Sequence, residues 1–292
     1  MCANQPVEWV CGNRILQIGS APLVMGILNV TPDSFSDGGR YADKKAAVRR
    51  GLQMANEGAD IIDIGGESTR PGAQAVEAGE ELERVLPVLE AIRRESEVCI
   101  SVDTSKAAVA RAALDAGAEI VNDVTALSGD PEMQEVVRRS GAGAILMHMR
   151  GTPRTMQVDP HYGDVVAEVR GFLASRAEAL VESGVERRRL AVDPGIGFGK
   201  TLDHNLRLLA NLPSISTCGL PLVVGLSRKS FLGALTNRDA GDRLAASLAA
   251  MVYCVLQGVQ VVRVHDVEES VDAIRAVAAL KATEKGESAD VG

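Results

Sequence analysis

Short apolar, β-branched runs recur along the whole chain, at Leu23 to Leu28, Ala59 to Ile64, Val98 to Val102, Ala118 to Val121, Ala144 to Met147, Leu190 to Val192, Leu222 to Val224 and Val259 to Val264. These eight runs lack the polar alternation of a half-exposed strand. Continuous apolar strands are what a parallel sheet covered on both faces requires. Between them apolar residues fall at helical spacing: Val48 and Leu52, then Leu82, Val85, Leu86, Leu89 and Ile92, later Val165, Val169, Phe172, Leu173 and Leu180, and finally Val271, Ile274 and Val277. Helix starts are expected at Thr104 or Ser105, at Asp130-Pro131-Glu132 and at Asp203. Pro87 should kink or restart the second helix.

Strand and helix alternating through eight units predict an α/β fold of (β/α)8 barrel type, a TIM barrel, with a doubly wound parallel sheet as the competitor. No Pro/Gly/Ser-rich linker divides the chain, so residues 21–282 are read as a single domain. Ahead of it, in residues 1–20, the segment EWVCGNRILQIG reads as a β-hairpin around a Gly-Asn turn that closes the barrel floor. Residues 283–292 form a polar tail expected to fray. Ala245 to Val262 is long enough to suggest a membrane span, but Ser247, Gln257, Gly258 and Gln260 interrupt it. It reads as a buried helix followed by a strand, and no membrane partner is expected.

With 46% apolar and 24% charged residues the composition is that of a globular protein. Asp and Glu number 39 against 31 Lys and Arg, a net charge of −8, which argues against nucleic acid as a partner. The five cysteines, Cys2, Cys11, Cys99, Cys218 and Cys254, contain no C-x-x-C pair, so neither a disulfide framework nor a zinc site is expected. The opening MCANQPVEWV lacks the basic start and apolar core of a signal peptide, and a cytoplasmic location is the expectation.

The chemistry lies where the apolar runs stop: at Asn29, Asp63, Asp103, Asn122-Asp123, His148, Asp193, Ser227-Arg228-Lys229, and Arg263 with His265. In a parallel barrel all strand ends meet at one face, so these residues should converge on one pocket. Asp63 and Asp123 also suit ordinary caps or loop anchors. Asp103 and Asp193 directly follow apolar strands, where an unpartnered carboxylate is costly, and a ligand is the economical reason for them. Carboxylates and an amide suit a flat heterocycle with adjacent N–H groups, whereas Arg70, Lys229, Arg263 and His265 suit an anion. Two glycine-rich loops, 31–39 and 65–72, read either as lids or as long turns. The run Gly195 to Lys200 lacks both phosphate-loop and dinucleotide spacing and receives no nucleotide role.

Taken together, the segments MGILNVTPDSFSDGGRY (25–41), GADIIDIGGESTRPGA (58–73), ISVDTS (100–105), VNDV (121–124), LMH (146–148), DPGIGFGK (193–200), SRKSFLG (227–233) and VRVHDV (262–267) resemble the dihydropteroate synthases, pterin-binding enzymes of folate biosynthesis. The resemblance spans about Met25 to Leu280. It implies a (β/α)8 barrel that joins (7,8-dihydropterin-6-yl)methyl diphosphate to 4-aminobenzoate, by early C–O cleavage to a pterin methylene cation. It further implies pterin-binding roles for Asp103, Asn122, Asp193 and Lys229, and diphosphate binding by Asn29, Arg263 and His265. Asn29 would be the ligand of a Mg²⁺ cofactor. Thr69, Arg70, Pro71, Phe198 and Ser230 match the aminobenzoate side, with Asp33 on the first loop and Asp63 lining the floor. Lys229, Arg263, His265 and Asp33 would act in catalysis, small molecules would be the partners, and family analogy implies a homodimer. Sulfonamides mimic the aminobenzoate in this family.

Three other readings stay open on sequence. A related pterin-binding barrel passes a methyl group to a corrinoid protein, but it has no use for a diphosphate clamp. A Schiff-base aldolase would use Lys229 as its nucleophile. A silent paralogue would bind without turnover.

Overall fold

The computed structural model describes residues 7–31, 39–70, 72–216 and 219–284. Ten strands occur among them: β1 (Val7–Cys11), β2 (Arg14–Ile18), β3 (Leu23–Asn29), β4 (Ile61–Gly65), β5 (Cys99–Asp103), β6 (Ile120–Asp123), β7 (Gly143–Met147), β8 (Leu190–Asp193), β9 (Val223–Gly225) and β10 (Val261–Val264). All eight apolar runs became β3 to β10. These pair in parallel in the order β8-β7-β6-β5-β4-β3-β10-β9, and a bridge between Val192 and Leu222 links the two edges. The neighbours follow chain order around the ring without the reversal that marks a doubly wound sheet, so the barrel reading holds and its competitor fails.

The helices are α1 (Gly39–Asn56), α2 (Ala78–Glu95), α3 (Ala107–Asp115), α4 (Met133–Ser140), α5 (Val165–Glu182), α6 (Leu202–Ala210), α7 (Leu212–Ile215), α8 (Ser230–Thr236), α9 (Leu244–Leu256) and α10 (Val267–Glu284). The interrupted apolar stretch is α9 followed by β10, and no helix of the described residues is long and apolar enough to cross a membrane.

Two apolar layers explain the strand composition. Side chains such as Ile62, Ile64, Ile100, Val102, Val121, Val192 and Val262 pack outward against the helices. Inward, Leu23, Met25, Ile61, Cys99, Ile120, Ile145, Ala191, Val223 and Val261 form a second cluster at the lower end of the barrel. Trp9, Cys11 and Ile18 of the β1–β2 hairpin close that cluster from below. The Trp9 indole N–H donates to the Arg189 carbonyl at 3.0 Å. Two residues further along five of these strands, on the same inward face, polar groups replace apolar ones: Asp63 after Ile61, Ser101 after Cys99, Asn122 after Ile120, Asp193 after Ala191, Arg263 after Val261. The period-2 alternation therefore exists, but it separates helix-facing from barrel-facing residues rather than core from water.

Local signals met mixed outcomes. α2 runs unbroken through Pro87, which lies on its exposed side, where water can replace the missing backbone donor. α3 starts later than expected, after Lys106, with the Thr104 hydroxyl accepting from the Lys106 N–H at 3.2 Å. α6 is capped by Thr201 in a reciprocal pair with His204, so Asp203 lies inside the first turn and pairs with Arg207 at 2.7 Å. Asp130 does anchor the start of α4, accepting from Glu132 N–H at 3.0 Å. Phe172 is partly exposed on α5, outside the buried stripe of Val169, Leu173 and Leu180. α10 extends to Glu284, and the rest of the polar tail lies outside the described residues.

Candidate active site at the carboxyl ends of the strands

The upper inward layer is a charge network. Arg263 Nε donates to Asp63 Oδ2 at 2.6 Å, and its Nη2 donates to Asp103 Oδ2 at 2.7 Å. Asn122 Nδ2 donates to the same Asp63 oxygen at 3.0 Å. Asp63 is 0% exposed, and among the described residues its Oδ1 has no partner. Gly225 lies beside Arg263 in register, and a Cβ there would meet the Arg263 stem at 3.5 Å, an ordinary van der Waals contact. Burial raises the Asp103 carboxyl, with Arg263 opposing the shift. Burial works to lower the Arg263 pKa, but Asp63 and Asp103 outweigh it and the net shift is upward.

This corrects two sequence expectations. Asp63 is the guanidinium's counter-ion rather than a simple cap, and Asp103 already has a protein partner. Asp123 does anchor its loop, accepting from Thr125 N–H at 2.7 Å and Leu127 N–H at 3.0 Å.

Asp193 ends β8 and accepts from Gly195 N–H at 2.7 Å. Burial raises its pKa, while the nearby Lys229 charge pulls the other way. Lys229 reaches across from β9's carboxyl side to donate to the Ile196 carbonyl. Its ammonium sits 4.8 Å from the centre of the Phe198 ring, and burial pushes it down to about 8. The next residue, Ser230, is exposed at the first position of α8. Arg228 instead turns to Asp266 and leaves this cluster.

His265 is half-buried after β10, its Nδ1 3.1 Å from the Ser227 hydroxyl. Burial, with Arg263 and Arg228 adding to it, lowers its pKa to about 4. Arg70 is exposed on the β4–α2 loop yet its charge reaches His265, and Thr69 beside it is half-buried. Asn29, half-buried at the end of β3, lies in register with Gly65, which in turn faces Asp103 on β5. Asp33 and Pro71 lie outside the described residues.

Sequence reasoning passed over Lys200. This lysine is 3% exposed, and its ammonium donates to the carbonyls of Gly195 and Phe198 at 2.9 Å and of His148 at 3.2 Å. Tyr162 OH and Gln157 Nε2 donate to the carbonyls of Gly199 and Gly197, and Asn205 Oδ1 accepts from Gly197 N–H. The glycine-rich run after β8 is thus a rigid shelf that presents Phe198, and the buried Lys200 stapling its carbonyls replaces any phosphate-cradling purpose. A lysine directly after three glycines alternating with Ile196 and Phe198 was the available signal.

The cluster therefore offers buried carboxylate and amide acceptors beside two strong cations, with an aromatic face at one side. It can hold a polar heterocycle, an anion and a flat apolar ring together.

Comparison with known proteins agrees. The family described as pterin binding enzyme matches residues 25–265. Dihydropteroate synthase of Escherichia coli (strain K12) is 50% identical over 260 residues, covering 89% of this chain and 92% of that protein. The structure of Xanthomonas albilineans dihydropteroate synthase with 4-aminobenzoic acid superposes with a TM-score of 0.90 at 47% identity, covering 95% of this chain and 99% of that one. That of Burkholderia cenocepacia dihydropteroate synthase complexed with 7,8-dihydropteroate gives 0.88 at 46% identity, covering 98% and 100%.

Proposed function

Because the chain belongs to the pterin-binding enzyme family, among the dihydropteroate synthases, we propose that its barrel mouth joins (7,8-dihydropterin-6-yl)methyl diphosphate to 4-aminobenzoate, forming 7,8-dihydropteroate and pyrophosphate. The observation that carries this reading is the meeting of Asp103, Asn122 and Asp193 with Lys229 and Arg263 at one mouth, beside the Phe198 ring.

In this reading Asp103, Asn122 and Asp193 hold the pterin edge, whose adjacent N–H groups a carboxylate accepts in its own plane. Lys229 binds the same ring from the β9 side. Arg263 and His265 bind the diphosphate. An aniline nitrogen is a weak nucleophile, so the bond from the methylene carbon to the bridging oxygen breaks first and its electron pair leaves with the diphosphate. The pterin ring spreads the resulting positive charge, the aniline lone pair then forms the C–N bond, and the nitrogen sheds its proton to water or pyrophosphate. Pre-set cations at the departing oxygens lower this barrier without a covalent intermediate on the protein. Phe198, Thr69, Arg70, Pro71 and Ser230 receive the aminobenzoate, and Asp33 faces the cation from the first loop.

Among the described residues no group of three His, Cys, Asp or Glu side chains could enclose a metal. Magnesium takes hard oxygens, commonly one or two from protein with the remainder from water and phosphate. The Asn29 amide fits an ion that arrives with the diphosphate. Asn29 would hold it, and it would neutralise charge on the leaving group.

The same reading takes residues 21–282 as one catalytic domain, with a homodimeric, cytoplasmic protein. Sedimentation checks the dimer. The decisive assay is purified protein with both substrates and magnesium, scored for pyrophosphate and for a pteroate product. Absence of both products overturns the reading and returns methyl transfer to a corrinoid protein as the alternative.

A further inference from the structure

Behind the mouth lies a second charge cluster. Lys106, the residue ahead of α3, donates to Glu81 on α2 and to Glu67 on the β4–α2 loop. Glu81 is 0% exposed and among the described residues its Oε1 has no partner, whereas Lys106 and Glu67 are about one-fifth exposed. A buried carboxylate with one orphaned oxygen depends on its single cation, and that cation uses a second bond to grip the loop. Burial works to lower the Lys106 pKa, but the two carboxylates outweigh it and the net shift is upward.

The loop is seated there by more than charge. Arg84 of α2 donates to the Gly66 carbonyl at 2.7 Å. A Cβ on Gly66 would lie 2.8 Å from Val85 Cγ2 and 2.9 Å from Glu81 Cγ, so glycine lets this backbone lie flat on α2. Thr69 and Arg70 follow Glu67 by two and three residues. Beyond them the loop has a lighter tie, Gly72 N–H to the Pro153 carbonyl at 3.2 Å.

We propose that Glu67, Lys106 and Glu81 form a latch that sets the position of the β4–α2 loop, making Glu67 and Lys106 positioning residues for the aromatic amine substrate. The substrate part rests on the function proposed above, and the loop part does not. Glu67 touches no reacting atom in this scheme. It acts by holding Thr69 and Arg70 where the second substrate lands.

Glu67→Gln tests this, because it preserves shape and leaves the buried Lys106–Glu81 pair intact. Two readouts are taken on the full chain, hydrogen exchange and steady-state kinetics. The expected results are faster amide exchange across residues 66–73 by roughly fivefold or more, with α2 and α3 unchanged, and a comparable rise in KM for 4-aminobenzoate with KM for the pterin diphosphate unchanged. Lys106→Arg should stay nearer to the parent than Glu67→Gln. Unaltered loop exchange in Glu67→Gln overturns the latch. Faster exchange with both KM values unmoved, or moved equally, overturns its positioning of the amine. If the parent protein makes no pteroate, the proposed function falls while the exchange measurement still judges the latch.

Discussion

Arg263 on β10 and Asp63 on β4 lie 200 positions apart in the chain, yet Nε and Oδ2 are 2.6 Å apart at the centre of the barrel mouth. The same guanidinium holds Asp103, so one side chain bridges two buried carboxylates and also points its charge where the diphosphate would leave. Arg263→Ala should therefore lower kcat/KM at least about tenfold and reduce stability by about 3–5 kcal/mol, the cost of stranding buried charge. Arg263→Lys should recover part of the stability and little of the activity, because an ammonium lacks the two-pronged geometry. Denaturant unfolding and pyrophosphate release measure the two effects separately.

Asp193 isolates the pterin side. Its substitution by Ala removes a charge-assisted contact of about 1.5–3 kcal/mol, so activity should drop about tenfold or more. Circular dichroism should show the fold retained. Near-normal turnover of both this variant and Arg263→Ala would refute the site assignment.

Two histidines, His148 buried and His265 half-buried, give a pH dependence with a definite sign. Burial depresses His148 to about 3 and His265 to about 4, from an ordinary value of 6.5. Below pH 6.5 the unfolded chain takes up protons that the folded chain refuses, so stability should be full above that point and decline on acidification, for His265 until about pH 4 and for His148 until about pH 3. Replacing His148 with Gln should shallow the slope in a series of unfolding titrations. Pyrophosphate, bound beside His265, should raise the pKa of that ring and draw a proton from solution. Calorimetry in buffers of different ionisation enthalpy would detect the uptake, and its absence would separate His265 from the anion.

Floor and mouth are separable. Trp9, fully enclosed beneath the barrel, should cost about 3–5 kcal/mol when changed to Ala. Below its lowered melting temperature the variant should keep kcat/KM within about twofold, since the hairpin packs against the lower end of the barrel, away from the proposed site residues.

Much of the architecture was written in the order of residues. A strand buried on both faces must be apolar throughout, so β3 to β10 could be located from composition alone, and parallel winding sends every strand end to one side. The residues at those ends, together with the extended motifs from Met25 onward, were enough to identify the chemistry. Pairings were another matter. Asp63 looked like a cap and Asp103 looked unpartnered because their shared cation lies on the last strand, and register decides which inward residues meet. Lys106 bridging Glu81 to Glu67, and Lys200 stapling carbonyls under Phe198, gave no periodic signal, since neither depends on spacing along the chain. Helix starts at Lys106 and Thr201 likewise followed the finished backbone. Hydrophobic period is a local property that the sequence determines by itself; which charges neutralise one another is a property of closure, decided only when the barrel brings distant strands side by side.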